Sequence, residues 1–188
     1  MLATTKEQSY DDTKDDEANR KSLVFEHQLS YISFQAKSED IAALTNVKIN
    51  YIEVTVPYTK GSIAFTNNTT APLTKTAGTY VYKPLAAQTD ALSTSDWTDC
   101  GYFLAIPQDI TVTGAKAKIQ YQYKVGSKTY TKTVDNLSLA SKDPTPWTST
   151  DWAKSTHYTY NITIGLREIL FTVSVDNNWV NAGAKEIY

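Results

Sequence analysis

His27, His157, Cys100 and a scatter of carboxylates are the side chains from which this chain would have to build any catalytic chemistry. A hydrolytic triad needs a nucleophile, a base and an orienting carboxylate brought together. The two histidines lie at opposite ends of the sequence, and no G-x-S-x-G elbow, H-E-x-x-H pair or P-loop surrounds them. His27 sits inside an apolar stretch, the setting of a satisfied core or edge histidine rather than of a base. Cys100 stands in Asp99-Cys100-Gly101, where no sequence neighbour supplies a cation to lower its pKa, so an inert thiol is the better reading. With 1 Cys and 2 His the chain completes neither an internal disulfide nor a structural zinc site. No enzyme, metal or cofactor is expected.

Carboxylates give two further readings. Asp11, Asp12, Asp15, Asp16 and Glu17 invite calcium, but the glycine of an EF-hand loop is missing and the spacing is wrong, so a solvated loop is favoured. Asp96 and Asp99 flank Trp97, while Asp143 and Asp151 lie near Trp147 and Trp152. A glycosidase needs a facing acid pair, and none can be singled out. The tryptophans suggest binding instead. Trp97, Trp147 and Trp152, with the Tyr-rich strands, are a candidate glycan platform on a β-sandwich, the function of a secreted carbohydrate-binding module. The competing reading makes Trp147, Trp152 and Trp179 core plugs that close the sandwich ends.

The elements that must position these groups are strands. LVFEHQLSYISFQA (23–36) alternates strictly from Ile32 to Ala36, and Glu26-His27-Gln28 predicts a bulge or break near His27. A short polar stretch follows, with a turn of helix expected around Ile41–Leu44. VKINYIEVTVPY (47–58) alternates too, but its apolar set changes face near Tyr51-Ile52, the signature of a bulge or of a strand that moves from one sheet to another. Pro57 is expected to end its pairing, and Lys60-Gly61 to make a turn. SIAF and GTYVYKPL predict short strands around a polar loop, and YFLAIP (102–107) a buried strand. Residues 115–139 predict a hairpin turning at Gly126-Ser127, and 157–166 with 168–179 a second strand pair.

About eight to ten strands with almost no helical period predict an all-β antiparallel sandwich with Greek-key-like, transthyretin-like connections. Residues 1–22 are expected to be a flexible charged leader, and 23–188 a single sandwich domain. The chain has 188 residues and a formal charge of -2, so it lacks the basic footprint of a nucleic-acid binder. No run of apolar residues approaches the ~18 of a membrane span.

Two segments carry a resemblance. Phe25, His27, Leu29, Ser30, Ile32 and Phe34 form an F-x-H-x-L-S-x-I-x-F strand. Tyr158, Tyr160, Ile162, Thr163, Ile164, Ile169, Phe171, Val173, Val175 and Trp179 follow in matching order and spacing. Together they resemble the fimbrillin-like family, the type V pilus subunits and related surface lipoproteins of Gram-negative gut and oral anaerobes. The resemblance implies a non-enzymatic subunit of a surface fimbrium, exported by a lipoprotein route to the outer membrane. It also implies assembly with other fimbrial subunits, as a homo- or heteropolymer, by donor-strand exchange, with adhesion to a host or bacterial ligand. In the family the F-x-H-x-L-S strand follows an N-terminal half. Here little precedes it, so either a fragment or a member with a shortened start is expected. Met1 is followed by Leu2-Ala3-Thr4-Thr5-Lys6, with no signal-peptide pattern and no lipid-modified cysteine. Under this reading there are two candidate donors for strand exchange, the leader before Leu23 and the tail 180–188 with Val180, Ala182, Ala184 and Ile187. Arg20 is the candidate site of proteolytic trimming, with an ordinary solvated arginine as the alternative.

Overall fold

A computed structural model of the chain describes residues 2–4, 24–42, 44–62, 65–66, 69–70, 74–85, 90–110, 115–140, 151–165 and 169–176. Among these residues the fold is all-β, without helix. The strands are β1 (Leu2–Thr4), β2 (Val24–Glu26), β3 (Ser30–Ser38), β4 (Thr45–Ser62), β5 (Phe65–Thr66), β6 (Thr69–Thr70) and β7 (Thr74–Leu85). They continue as β8 (Thr98–Ala105), β9 (Gln108–Asp109), β10 (Lys116–Val125), β11 (Lys128–Ser138), β12 (Asp151–Trp152), β13 (His157–Ile164) and β14 (Ile169–Asp176).

Two four-stranded sheets carry the architecture. The first has the order β11-β10-β4-β7 and is antiparallel throughout. The second has the order β14-β13-β3-β8. Its central pair, β3 and β13, is parallel, because the chain leaves β3, builds the whole first sheet, and returns in the same direction. A parallel pair cannot be closed by a tight turn, and this long excursion is the crossover it needs.

Period-two alternation places one face of each sheet in a shared core. β3 and β13 bury every second residue, with Ile32, Phe34 and Ala36 facing inward beside Tyr158, Tyr160 and Ile162. In β4 the inward set is Val47 and Ile49, then Ile52, Val54 and Val56. The parity changes across Asn50-Tyr51, where the register against β10 slips between Gln120↔Tyr51 and Tyr121↔Ile49. The face change legible in the sequence is thus a bulge inside one strand, which lets both halves of an 18-residue strand point apolar side chains at one core.

Several local expectations are corrected. Pro57 does not end β4. It falls in an irregularity between Val56↔Tyr80 and Tyr58↔Ala77, and the strand continues along β7 to Ser62. On the other side, where β10 stops at Thr55, the buried Gln108 side chain takes over. Its Oε1 accepts from Tyr58 N at 3.3 Å, and its Nε2 donates to Tyr58 O at 3.2 Å. Lys60-Gly61 is strand, paired with Thr76 and Lys75, because the chain reverses farther on, around the β5–β6 ribbon. Around Ile41–Leu44 the chain makes a turn closed by Leu44 N donating to Ile41 O at 2.8 Å rather than a helix. The apolar run 102–107 is not a buried strand throughout: it belongs to a strand from Thr98 to Ala105 at the edge of its sheet, with Phe103 and Ala105 buried and Tyr102 and Leu104 exposed.

The break near His27 separates β2 from β3. Leu2–Thr4 pair with Val24–Glu26, which places the first residues in a ribbon, and the rest of the expected leader lies outside the described residues. The hairpin β10–β11 turns at Gly126-Ser127, with Gly126 at φ 60°. A positive φ at the first central position only is the pattern of a type II′ turn.

Candidate functional site

Since the inner faces of the sheets are consumed by packing, binding chemistry must use outer faces or edges. On the second sheet the parity that buries Ile32 and Phe34 turns Tyr31, Ser33, Gln35 and Lys37 outward. The parallel register sets His157, Thr159 and Asn161 beside Tyr31, Ser33 and Gln35. β14 adds Asp176 opposite His157 and Ser174 opposite Thr159, and β8 adds Leu104 opposite Tyr31 and Tyr102 opposite Ser33.

These rows are tied together. Ser33 Oγ lies 2.7 Å from His157 Nε2 and 3.1 Å from Thr159 Oγ1, which is itself 3.1 Å from His157 Nε2. Gln35 Nε2 donates to Asn161 Oδ1 at 2.6 Å, and Asn161 Nδ2 donates to Ser174 Oγ at 3.0 Å. The Tyr31 ring stacks on Tyr102 at 4.9 Å and meets the His157 ring edge-on at 4.5 Å. Burial lowers the His157 pKa, against an opposing pull from Asp176. A neutral imidazole whose Nε2 accepts from hydroxyls fits this contact.

Ser33, His157 and Asp176 bring together the residue types of a hydrolytic triad. Acyl transfer also needs preorganised donors for an oxyanion. The backbone around Ser33 is committed to ladders with β13 and β8, so the row supports no catalytic assignment. It ties the parallel pair instead. Among the described residues no group of His, Cys, Asp and Glu is arranged to hold a metal. Cys100 is buried in β8, and its thiol pKa is pushed up to about 12 by burial and then by Asp99. It is inert by this measure, as its sequence context indicates.

The second feature is an edge. β7 and β8 approach each other at one side of the sandwich. By strand order β11 and β14 lie at the other. There the inward side chains are only partly covered: Tyr123, Val134 and Leu137 from the first sheet, Ile169, Val173 and Val175 from the second. Tyr130 remains 39% exposed and stacks on Tyr123 at 5.5 Å. The Tyr121 hydroxyl is buried there without a hydrogen-bond partner among the described residues.

The residues singled out in the sequence fall in different places. Trp97 is exposed, in the segment leading into β8, with Lys37 Nζ 4.7 Å from its ring centroid. Trp152 is fully buried, donates from Nε1 to the Tyr160 hydroxyl at 2.9 Å, and packs edge-on against Phe103. Its ring has no solvent face, so Trp152 is a core plug and no part of a glycan platform. Trp147, Trp179, Arg20, Val180, Ala182, Ala184 and Ile187 lie outside the described residues. Sequence reasoning missed the outer row of Tyr31, Ser33, Tyr102 and His157. The alternation of β3 signalled an outward Tyr31, but only the register could set it beside residues so remote in sequence.

Comparison with known proteins adds a family and a fold. The chain matches the model of a family described as fimbrillin-like over residues 1–179. No curated protein matches it significantly. A fimbrial protein from Bacteroides vulgatus ATCC 8482 has a similar structure, with TM-score 0.53 at 14% identity over 85% of this chain and 56% of that one. A candidate cell adhesion protein from Bacteroides uniformis ATCC 8492 gives 0.47 at 16% identity, over 83% of this chain and 53% of that one. The chain therefore spans a little over half the length of these solved structures, and at such identity the likeness concerns the fold.

Proposed function

Because the chain belongs to the fimbrillin-like family, we propose that it is a non-enzymatic structural and adhesive subunit of a bacterial surface fimbrium. Its place is the cell surface, associated with the outer membrane after export by a lipoprotein route. Its partners are other fimbrial subunits, joined as a homo- or heteropolymer by strand addition. No helix among the described residues is long and apolar enough to cross a membrane.

The observation that carries the assembly step is the partly covered seam between β11 and β14. An added strand with alternating apolar residues gains on two counts there. Its backbone pairs with an edge, and its inward side chains cover Val173, Val175 and the exposed part of Tyr130. Val180, Ala182 and Ala184 share one register in the segment that follows β14. Trimming after Arg20 belongs to the same reading, as the step that releases Leu2–Thr4 from its pairing with Val24–Glu26.

Deleting 180–188 and following polymerisation against the full-length partner tests the tail. The expected result is loss of polymers with an intact fold, and polymerisation at the full-length rate refutes strand donation by this segment.

A further inference from the structure

Tyr102 and Leu104 are 58% and 44% exposed on β8, the edge strand of the second sheet. Tyr102 stacks on Tyr31, so the two rings form one aromatic step rather than two scattered side chains. Asp99 lies within electrostatic range of this step. After burial, first Tyr102 and then Asp99 push the Tyr31 phenol pKa up. Asp99 Oδ1 accepts from Gly101 N at 2.8 Å, which fixes the carboxylate. From the step a strip of uncharged groups runs along the face: Ser33, Thr159, Gln35, Asn161 and Ser174. It leads toward Lys37 and the exposed ring of Trp97. Tyr31 and Lys37 are separated by about 20 Å at about 3.3 Å per residue along an extended strand.

We propose that this outer face binds a neutral oligosaccharide, with the Tyr31–Tyr102 step as its aromatic platform and the Ser33–Gln35–Asn161 strip as its hydrogen-bonding track. A pyranose carries a C–H face that packs on an aromatic ring and a rim of hydroxyls that both donate and accept. Side-chain amides and hydroxyls offer both roles, whereas ammonium groups only donate. Charge separates the alternatives. An anionic ligand calls for a basic face, whereas the strip's own groups are uncharged, Asp99 lies opposite Gln35, Asp176 lies opposite His157, and Lys37 stands only at its end. A protein partner calls for an apolar, desolvated centre with a polar rim. Here the order is reversed: the centre is polar and hydrogen-bonded, and the apolar surface of Tyr102 and Leu104 is at the edge. The span fits several linked sugars rather than one. Tyr31 and Tyr102 replace the buried Trp152 as the platform residues, and this platform lies on β3 and β8, away from the β14 edge that the strand-exchange reading uses.

The test uses the full 188-residue chain and isothermal titration. The probes are neutral hexasaccharides of β-1,4-glucan, β-1,3-glucan, α-mannan and chitin type, with sialylated and sulfated glycans as the charged arm. The expected result is saturable binding of at least one neutral hexasaccharide. Tyr102→Ala weakens it about tenfold, while Thr131→Ala, an exposed position on the other sheet, leaves it unchanged. Both residues are exposed enough for the variants to fold, which thermal melting checks. Three outcomes overturn the proposal: no neutral glycan binds, binding is indifferent to Tyr102→Ala, or only charged glycans bind. Self-association weakened by Tyr102→Ala, without glycan binding, identifies the face as a protein interface and also overturns it.

Discussion

The Tyr160 hydroxyl is the joint between the core plug and the two sheets, and its removal is a sharp test of the fold. Tyr160 is 1% exposed, and burial drives its phenol pKa far up, so the hydroxyl stays protonated. It accepts from Trp152 Nε1 at 2.9 Å and donates to Leu139 O at 3.0 Å. Trp152 and Leu139 are themselves fully buried. Tyr160→Phe keeps the ring, which stacks on Phe34 at 5.4 Å, and deletes one oxygen. The indole N–H and the Leu139 carbonyl then lose that partner in places where water does not replace it. Each such group costs about 1–3 kcal/mol, and the variant recovers the cost of burying its own hydroxyl. The expected net loss is about 2–4 kcal/mol. For a chain of this size about 1 kcal/mol moves Tm by about 2–4 °C, so a fall of about 5–15 °C is expected. Urea unfolding followed by tryptophan fluorescence gives the free energy, and a double-mutant cycle with Trp152→Phe isolates the pair. A loss under about 0.5 kcal/mol, or a coupling energy near zero, would refute the claim that this hydroxyl bridges the layers.

Two further outcomes follow from local structure. Gly126→Ala is expected to destabilise by about 1–2 kcal/mol in urea although a Cβ there meets nothing within 4 Å, because φ is 60° and the penalty is backbone strain. An unchanged urea midpoint would show that the turn relaxes freely. Cys100 is expected to resist thiol reagents at pH 8 in the native protein and to react once unfolded. Its native pKa of about 12 lies above that of an exposed thiol, so the unfolded chain loses the proton first. Stability is therefore full below the unfolded pKa and falls as pH rises through the native value. Cys100→Ala should flatten that alkaline decline, and an identical slope in the variant would exclude the thiol as its source.

The inward and outward sets were legible along the chain because strand parity is local. Ile32-to-Ala36, Tyr158-to-Ile164 and the hairpin at Gly126-Ser127 each carry their own pattern. Even the bulge in β4 showed as a switch of apolar parity at Tyr51-Ile52. Pro57 and Lys60-Gly61 misled, because a proline or glycine reports only its own backbone preference. Whether a strand survives it depends on a remote partner, here β7 and the Gln108 amide. The tryptophans show the same limit. Composition gives Trp97 and Trp152 the same character, and the fold exposes one and plugs the core with the other.

By itself, then, the sequence determined strand content, facing and family, since alternation and turn chemistry act over a few residues. Only the tertiary structure decided that β3 and β13 run parallel, that Tyr31, Ser33, His157 and Tyr102 share one outer face, and that the seam between β11 and β14 is partly covered. Those are questions of register and layer order between segments remote in sequence, by more than a hundred residues in the case of Ser33 and His157. Such pairings are settled by core packing, which no local pattern encodes.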